Sequence, residues 1–139
     1  MYTLKTSAAF DSAHFLSGYK GKCANIHGHR WVIEVYVSSA ELEHEGEKRG
    51  MVIDFSDLKK AVRRLADSLD HSLLYERGTL KKATEDALLD EGFRLIPLGY
   101  RPTAENFAKA FFDELTGEGL EVSRVVVYET PDNCAGYEV

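Results

Sequence analysis

Cysteine is scarce in this sequence: only Cys23 and Cys134 occur among 139 residues, too few for a disulfide framework. A basic excess is also absent. The 17 Lys+Arg against 23 Asp+Glu leave a formal net charge of -6, the wrong sign for displacing counterions from nucleic acid. Apolar runs such as Val125-Val126-Val127-Tyr128 are strand-length, far below the roughly 20 residues that span a bilayer. The opening Met1-Tyr2-Thr3-Leu4-Lys5 has neither a charged n-region nor an apolar h-region, so no secretion signal is read there. The expectation is a cytoplasmic protein with reduced thiols and no membrane or nucleic-acid partner. No repeat, low-complexity tract or linker divides the chain, and a composition 44% hydrophobic and 29% charged is that of a globular protein. One domain over residues 1–139 is expected, because two would each have too little core.

Residues 2–10 and 31–38 read as strands, the second through Trp31, Ile33, Val35 and Val37 alternating with polar neighbours. The Glu-rich stretch 39–50, with His44, reads as a solvated connection, and Met51-Val52-Ile53 as a short strand. A helix over 55–69 follows from Phe55, Leu58, Val62, Leu65 and Leu69 on one face, with Asp54 as its cap and Asp57 in its first turn. A second helical stretch runs near 79–91, from Thr79 to Gly92. Residues 93–98 suit an edge strand, since Pro97 bars a central position. A third helix over about 104–116 carries Phe107, Phe111 and Leu115 on one face. Strands at 122–129 and after Cys134 complete the chain. The order predicts an α+β fold, with an antiparallel four-stranded sheet covered by helices on one face. Its open edges favour an oligomer.

The densest chemistry is Cys23-Ala24-Asn25-Ile26-His27-Gly28-His29, with His14 upstream. Residues two apart on a strand share a face, so His27 and His29 can aim both imidazoles at one point. His14 has the parity of Phe10 and can project from the preceding strand towards the same point. Three imidazoles suit Zn²⁺ and leave a fourth position open; the bland alternative is a chance His-x-His pair and a surface His14. Cys23 admits three readings: a fourth metal ligand, a small buried side chain, or a reactive thiol. Cys134 has no such company and reads as structural.

Asp70-His71 follows the first helix. A turn there can let the carboxylate orient the imidazole, or His71 can simply suit the negative end of the helix dipole. Glu129 ends the apolar run 125–128, emerging into solvent or accepting hydrogen bonds from a ligand.

Together these segments resemble the 6-pyruvoyltetrahydropterin synthase/6-carboxytetrahydropterin synthase family. The resemblance runs through Phe10-Asp11-Ser12-Ala13-His14, Cys23-x₃-His27-Gly28-His29, Gly50-Met51-Val52-Ile53-Asp54-Phe55 with Asp57-Leu58, Leu69-Asp70-His71, Pro102-Thr103-Ala104-Glu105-Asn106 and Val127-Tyr128-Glu129-Thr130. It implies that His14, His27 and His29 bind a catalytic zinc. Cys23 would be the proton-transferring thiol, with Asp70 and His71 as its partner dyad. Glu129 would grip the pterin, and Thr103 and Glu105 would lie near the pterin pocket. The implied architecture is the tunnelling fold, an antiparallel sheet plus helices whose trimers stack into a homohexamer closed as a barrel. The stretch near 79–91 looks like an insertion relative to the shortest members.

The short Cys-x₃-His-Gly-His spacing resembles the 6-carboxytetrahydropterin synthases of queuosine biosynthesis, whereas the pyruvoyl-forming enzymes typically separate Cys and His by two more residues. The implied reaction is a zinc-dependent lyase reaction. It takes 7,8-dihydroneopterin 3′-triphosphate and water to 6-carboxy-5,6,7,8-tetrahydropterin, acetaldehyde and triphosphate. The alternatives are formation of 6-pyruvoyltetrahydropterin and a non-catalytic module with a closed Cys-His₃ zinc. Lys20, Lys22 and Arg30 are the candidates for the triphosphate.

Overall fold

A computed structural model describes all 139 residues. Strand β1 (Tyr2–His14) and strand β2 (His27–Ser39) form an antiparallel ladder that pairs Phe10 with Trp31, Ser12 with His29 and His14 with His27. Alternation puts Trp31, Ile33, Val35 and Val37 on one buried face. Arg30, Glu34 and Tyr36 lie on the other. Helix α1 (Phe55–Leu69) and helix α3 (Ala104–Gly117) cover the apolar face through Leu58, Val62, Leu65, Phe107, Phe111 and Leu115. Asp54 caps α1 by accepting from the Ser56 amide at 2.8 Å, as its position before the helix leads one to expect.

The sheet has six strands, not four, and it is mixed. Strand β3 (Ser72–Glu76) runs parallel to β1 along its second edge, pairing Ser12 with Ser72 and His14 with Leu74. Helix α2 (Lys82–Asp90) is then a crossover that returns the chain for strand β4 (Leu95–Leu98), parallel to β3. Strand β5 (Val122–Thr130) pairs with β2, and strand β6 (Asn133–Glu138) with β5, both antiparallel. The order is β4-β3-β1-β2-β5-β6, which leaves Pro97 on an edge strand as expected.

Residues 51–53 form no strand. Both edges of β1 are occupied by β2 and β3, and Val52 and Ile53 instead rest half-buried against the core. Helix α2 starts at Lys82 rather than Thr79, because the Thr79 hydroxyl donates to the Glu76 carbonyl at 2.5 Å and closes a turn there. It ends before Gly92, whose φ of 87° suits glycine in the left-handed region. No helix is long and apolar enough to cross a membrane.

Candidate metal centre and active site

The ends of three neighbouring strands bring His14, His27, His29 and Glu129 together. One ligand atom from each lies within 4.8 Å of the others. An ion about 2.0–2.1 Å from tetrahedral ligands holds them about 3.3 Å apart, and atoms gathered within 4.8 Å form a group that could hold one. The parity argument for the three histidines therefore holds geometrically: His14 faces His27 across the β1–β2 ladder, and His29 sits one step further along.

Hydrogen bonds fix the tautomers. His14 Nδ1–H donates to the Pro102 carbonyl at 2.8 Å, and His27 Nδ1–H donates to the Asn25 carbonyl at 2.7 Å. A carbonyl only accepts, so in the neutral rings both protons are committed to Nδ1. With that tautomer the two Nε2 atoms meet at 3.1 Å with lone pairs facing each other, an arrangement that a cation could bridge. His29 Nε2 lies 2.9 Å from Glu129 Oε1, within ion-pairing distance, yet it is buried and makes no directed hydrogen bond. Imidazole and carboxylate donors of this kind fit a divalent transition metal such as zinc.

His14 is 1% exposed. Burial pushes its pKa below the usual histidine value, and the Pro102 hydrogen bond opposes this only in part. Burial likewise lowers His29, against the pull of Glu129. Both rings are thus held neutral, the form that ligates metal. Trp31 and Phe107 stand behind them, with ring centroids 5.0 Å apart and edge to face.

Glu129 emerges from its apolar strand half-buried against the histidines. Sequence parity located it on the sheet face but did not reveal that its carboxylate stands beside the three imidazoles. Cys23 lies outside that group. It sits half-buried and free in a 3₁₀ turn, Lys22–Ala24, and its carbonyl accepts from the Leu16 amide at 2.9 Å. No closed Cys-His₃ centre forms. Cys134 is exposed on β6 and also free.

Asp70 and His71 do bring their side chains together. Asp70 Oδ2 lies 3.0 Å from His71 Nδ1, within ion-pairing distance, while Oδ1 accepts from the Asp11 amide at 2.8 Å. The Asp11 amide and then His71 hold the Asp70 carboxyl below its usual range. His71 adopts a φ of 52°, the one non-glycine residue with positive φ, and its side chain is 81% exposed. Nothing in the sequence signalled that backbone state.

Thr103 accepts from the Asn106 amide at 3.2 Å and caps α3, and Glu105 is exposed in the first turn of that helix. Two open clefts, of about 720 and 540 Å³, share Gly28, His29 and Arg30; the first also carries His71, the second Glu129. His29 of the histidine cluster and the exposed His71 thus border one space. Arg30 is paired with Asp11 at 3.1 Å, whereas Lys20 and Lys22 are exposed in the loop before the histidines.

The description 6-pyruvoyl tetrahydropterin synthase belongs to the family that matches residues 3–139. A 6-carboxy-5,6,7,8-tetrahydropterin synthase of Haemophilus influenzae is 35% identical over 141 residues, with 99% of each chain covered. A protein of the same name from Rickettsia felis is 33% identical, covering 90% of this chain and 91% of the relative. Among solved structures, an uncharacterized protein from Wolinella succinogenes superimposes with a TM-score of 0.79 at 20% identity, covering 99% of this chain and 97% of its own. The 6-pyruvoyl tetrahydropterin synthase of Caenorhabditis elegans gives 0.70 at 24% identity, covering 99% and 95%. At those identities the structures establish a shared fold. The family match over almost the whole length, on a chain whose histidines converge as described, shows that this protein belongs to the 6-pyruvoyl tetrahydropterin synthase family.

Proposed function

We propose that this chain is a 6-carboxy-5,6,7,8-tetrahydropterin synthase, a zinc-dependent lyase working in the cytoplasm in queuosine biosynthesis. Its substrates are 7,8-dihydroneopterin 3′-triphosphate and water; its products are 6-carboxy-5,6,7,8-tetrahydropterin, acetaldehyde and triphosphate. The observation that carries the reading is the meeting of two carbonyl-fixed imidazoles, Nε2 to Nε2, beside His29 and Glu129. The names of the 6-carboxy-5,6,7,8-tetrahydropterin synthase relatives support the product.

His14, His27 and His29 would hold the zinc. When bound, zinc polarises the oxygens of the substrate side chain and makes neighbouring protons acidic. The Cys23 thiol and His71, oriented by Asp70, move those protons. Glu129 offers two carboxylate oxygens to the 2-amino and N3 edge of the pterin, and Thr103 and Glu105 belong to the rim of that pocket.

The assembly in this reading is a homohexamer, a dimer of trimers, with sites at subunit boundaries. Two unpaired sheet edges, β4 and β6, and the exposure of His71 support it. The testing experiment is incubation of metal-loaded protein with 7,8-dihydroneopterin triphosphate and identification of the pterin formed. The 6-carboxy product is expected. A 6-pyruvoyl product would reassign the reaction within the family, and an unchanged substrate would overturn the enzymatic reading.

A further inference from the structure

Helix α1 ends badly by its own means. Its last turn carries no basic residue, its C-cap is Asp70, and Asp67 lies one turn earlier. Carboxylates there face the negative end of the helix dipole, and the last carbonyls have no partner within the helix. Arg94, from the loop between α2 and β4, supplies what is missing. Its Nη1 donates to the Asp70 carbonyl at 2.6 Å and its Nη2 to the Ser68 carbonyl at 2.5 Å. Its backbone is fastened as well, since the Arg94 carbonyl accepts from the Leu73 amide at 3.0 Å.

The Asp70 carbonyl belongs to the peptide unit that joins Asp70 to His71. His71 holds a left-handed backbone that a side-chain-bearing residue keeps only when its surroundings fix it. Three contacts do so: His71 N–H to the Asp11 carbonyl at 2.7 Å, Asp11 N–H to Asp70 Oδ1 at 2.8 Å, and Arg94 Nη1 to the carbonyl of the connecting peptide at 2.6 Å. Arg94 also borders the cleft into which His71 opens.

We infer that Arg94 is a positioning residue for His71, and that the α2 segment delivers it. Helix α2 buries no residue of its own. It is tied to the sheet by the Tyr75 hydroxyl, which donates to Glu85 at 2.7 Å. The helix therefore works as a crossover strut with Arg94 at its exit. A lysine cannot replace it, because one ammonium does not fork onto two carbonyls held by a planar guanidinium.

The inference rests on His71 acting in proton transfer, and the test separates the two. Arg94→Ala, His71→Ala and the double variant are compared by kcat and KM for the pterin triphosphate, with metal content and melting temperature measured alongside. Arg94→Ala is expected to lower kcat roughly tenfold with KM nearly unchanged and metal content intact. Arg94→Lys should recover only part of the loss. In the His71→Ala background, the same Arg94→Ala change should alter kcat by less than about twofold, since the group it positions is gone. Wild-type kcat in Arg94→Ala, or equal losses in both backgrounds, would overturn the inference while leaving His71 in its role. Wild-type kcat in His71→Ala would overturn both. Should Arg94→Ala fail to fold, Arg94→Lys carries the same cycle.

Discussion

His14 and Pro102, 88 positions apart, are joined by a 2.8 Å hydrogen bond from the imidazole Nδ1–H to the proline carbonyl. This bond fixes the tautomer of the most buried of the three clustered imidazoles and ties the histidine cluster to the entrance of α3. The residue that follows Pro102 is the cap of that helix. The local geometry of the helix start and the ligand orientation are therefore one problem.

Thr103→Ala is expected to destabilise the protein by about 1 kcal/mol, the usual value of a lost N-cap. It should also weaken metal binding by freeing the Pro102 carbonyl, and Thr103→Ser should restore both. Denaturant titration and metal titration check this. A rise in KM for the pterin with stability unchanged would instead assign the hydroxyl to substrate.

Replacing His27 or His29 by Ala is expected to lower metal stoichiometry, because the remaining ligands bind a divalent ion with much reduced affinity. Elemental analysis of the purified variants is the measurement. Full occupancy in both would refute the ligand assignment.

The elements that packing dictates locally were legible in the sequence. Helices α1 and α3 announce themselves by apolar spacing and by the caps Asp54 and Thr103, and β2 by its alternation from Trp31 to Val37. Parity alone placed the three histidines on one face. Strand β3 was not legible: its five residues carry no alternation, and its partner, β1, is 60 residues away in sequence at the pairing of Ser12 with Ser72. The parallel ladders depend on that long-range pairing. The carbonyls of Asn25 and Pro102 that set the histidine tautomers are backbone atoms, so no residue type marks them. Glu129 shares a face with Val125 and Val127, but only the β2–β5 register brings it to the ligands.

Metal-free protein should lose stability as pH falls from 7.5 to 5. Burial lowers the pKa of His14 and His29 in the folded state. The unfolded chain therefore takes up protons from about pH 6.5 downward, while the folded chain does not until its lower values are reached. More protons bound to the unfolded state means that stability rises with pH. The loss begins near 6.5 and ends once pH has passed below the folded values. The depressed carboxylates Asp54 and Asp70 contribute the same sign, but only at more acid pH. Urea melts at a series of pH values test this; a flat profile between 7.5 and 5 would contradict it.

Asp70 serves two partners, so its variants should separate. Asp70→Asn keeps an acceptor for the Asp11 amide but removes the charge beside His71; turnover should fall about 10²-fold with melting little changed. Asp70→Ala removes both contacts and should lower melting temperature as well. Equal stability of the two variants would show that the Asp11 contact contributes nothing.

The last expectation concerns assembly. Strands β4 and β6 end the sheet with unpaired backbone groups, an exposure that proteins remove by pairing or covering their edges. Light scattering at assay concentration should therefore give an oligomer, with a hexamer expected, and a fully active monomer would refute the claim. Shared sites make a sharper demand. Cys23 lies outside the group that contains Glu129, so the two residues serving one pterin can come from different chains. In that arrangement, inactive Cys23→Ala and inactive Glu129→Ala subunits, unfolded and refolded together, rebuild some sites with both residues intact. Activity should then appear in the mixture and be absent from either variant refolded alone. An oligomer of mixed subunits with no recovered activity would place Cys23 and Glu129 of each site on the same chain.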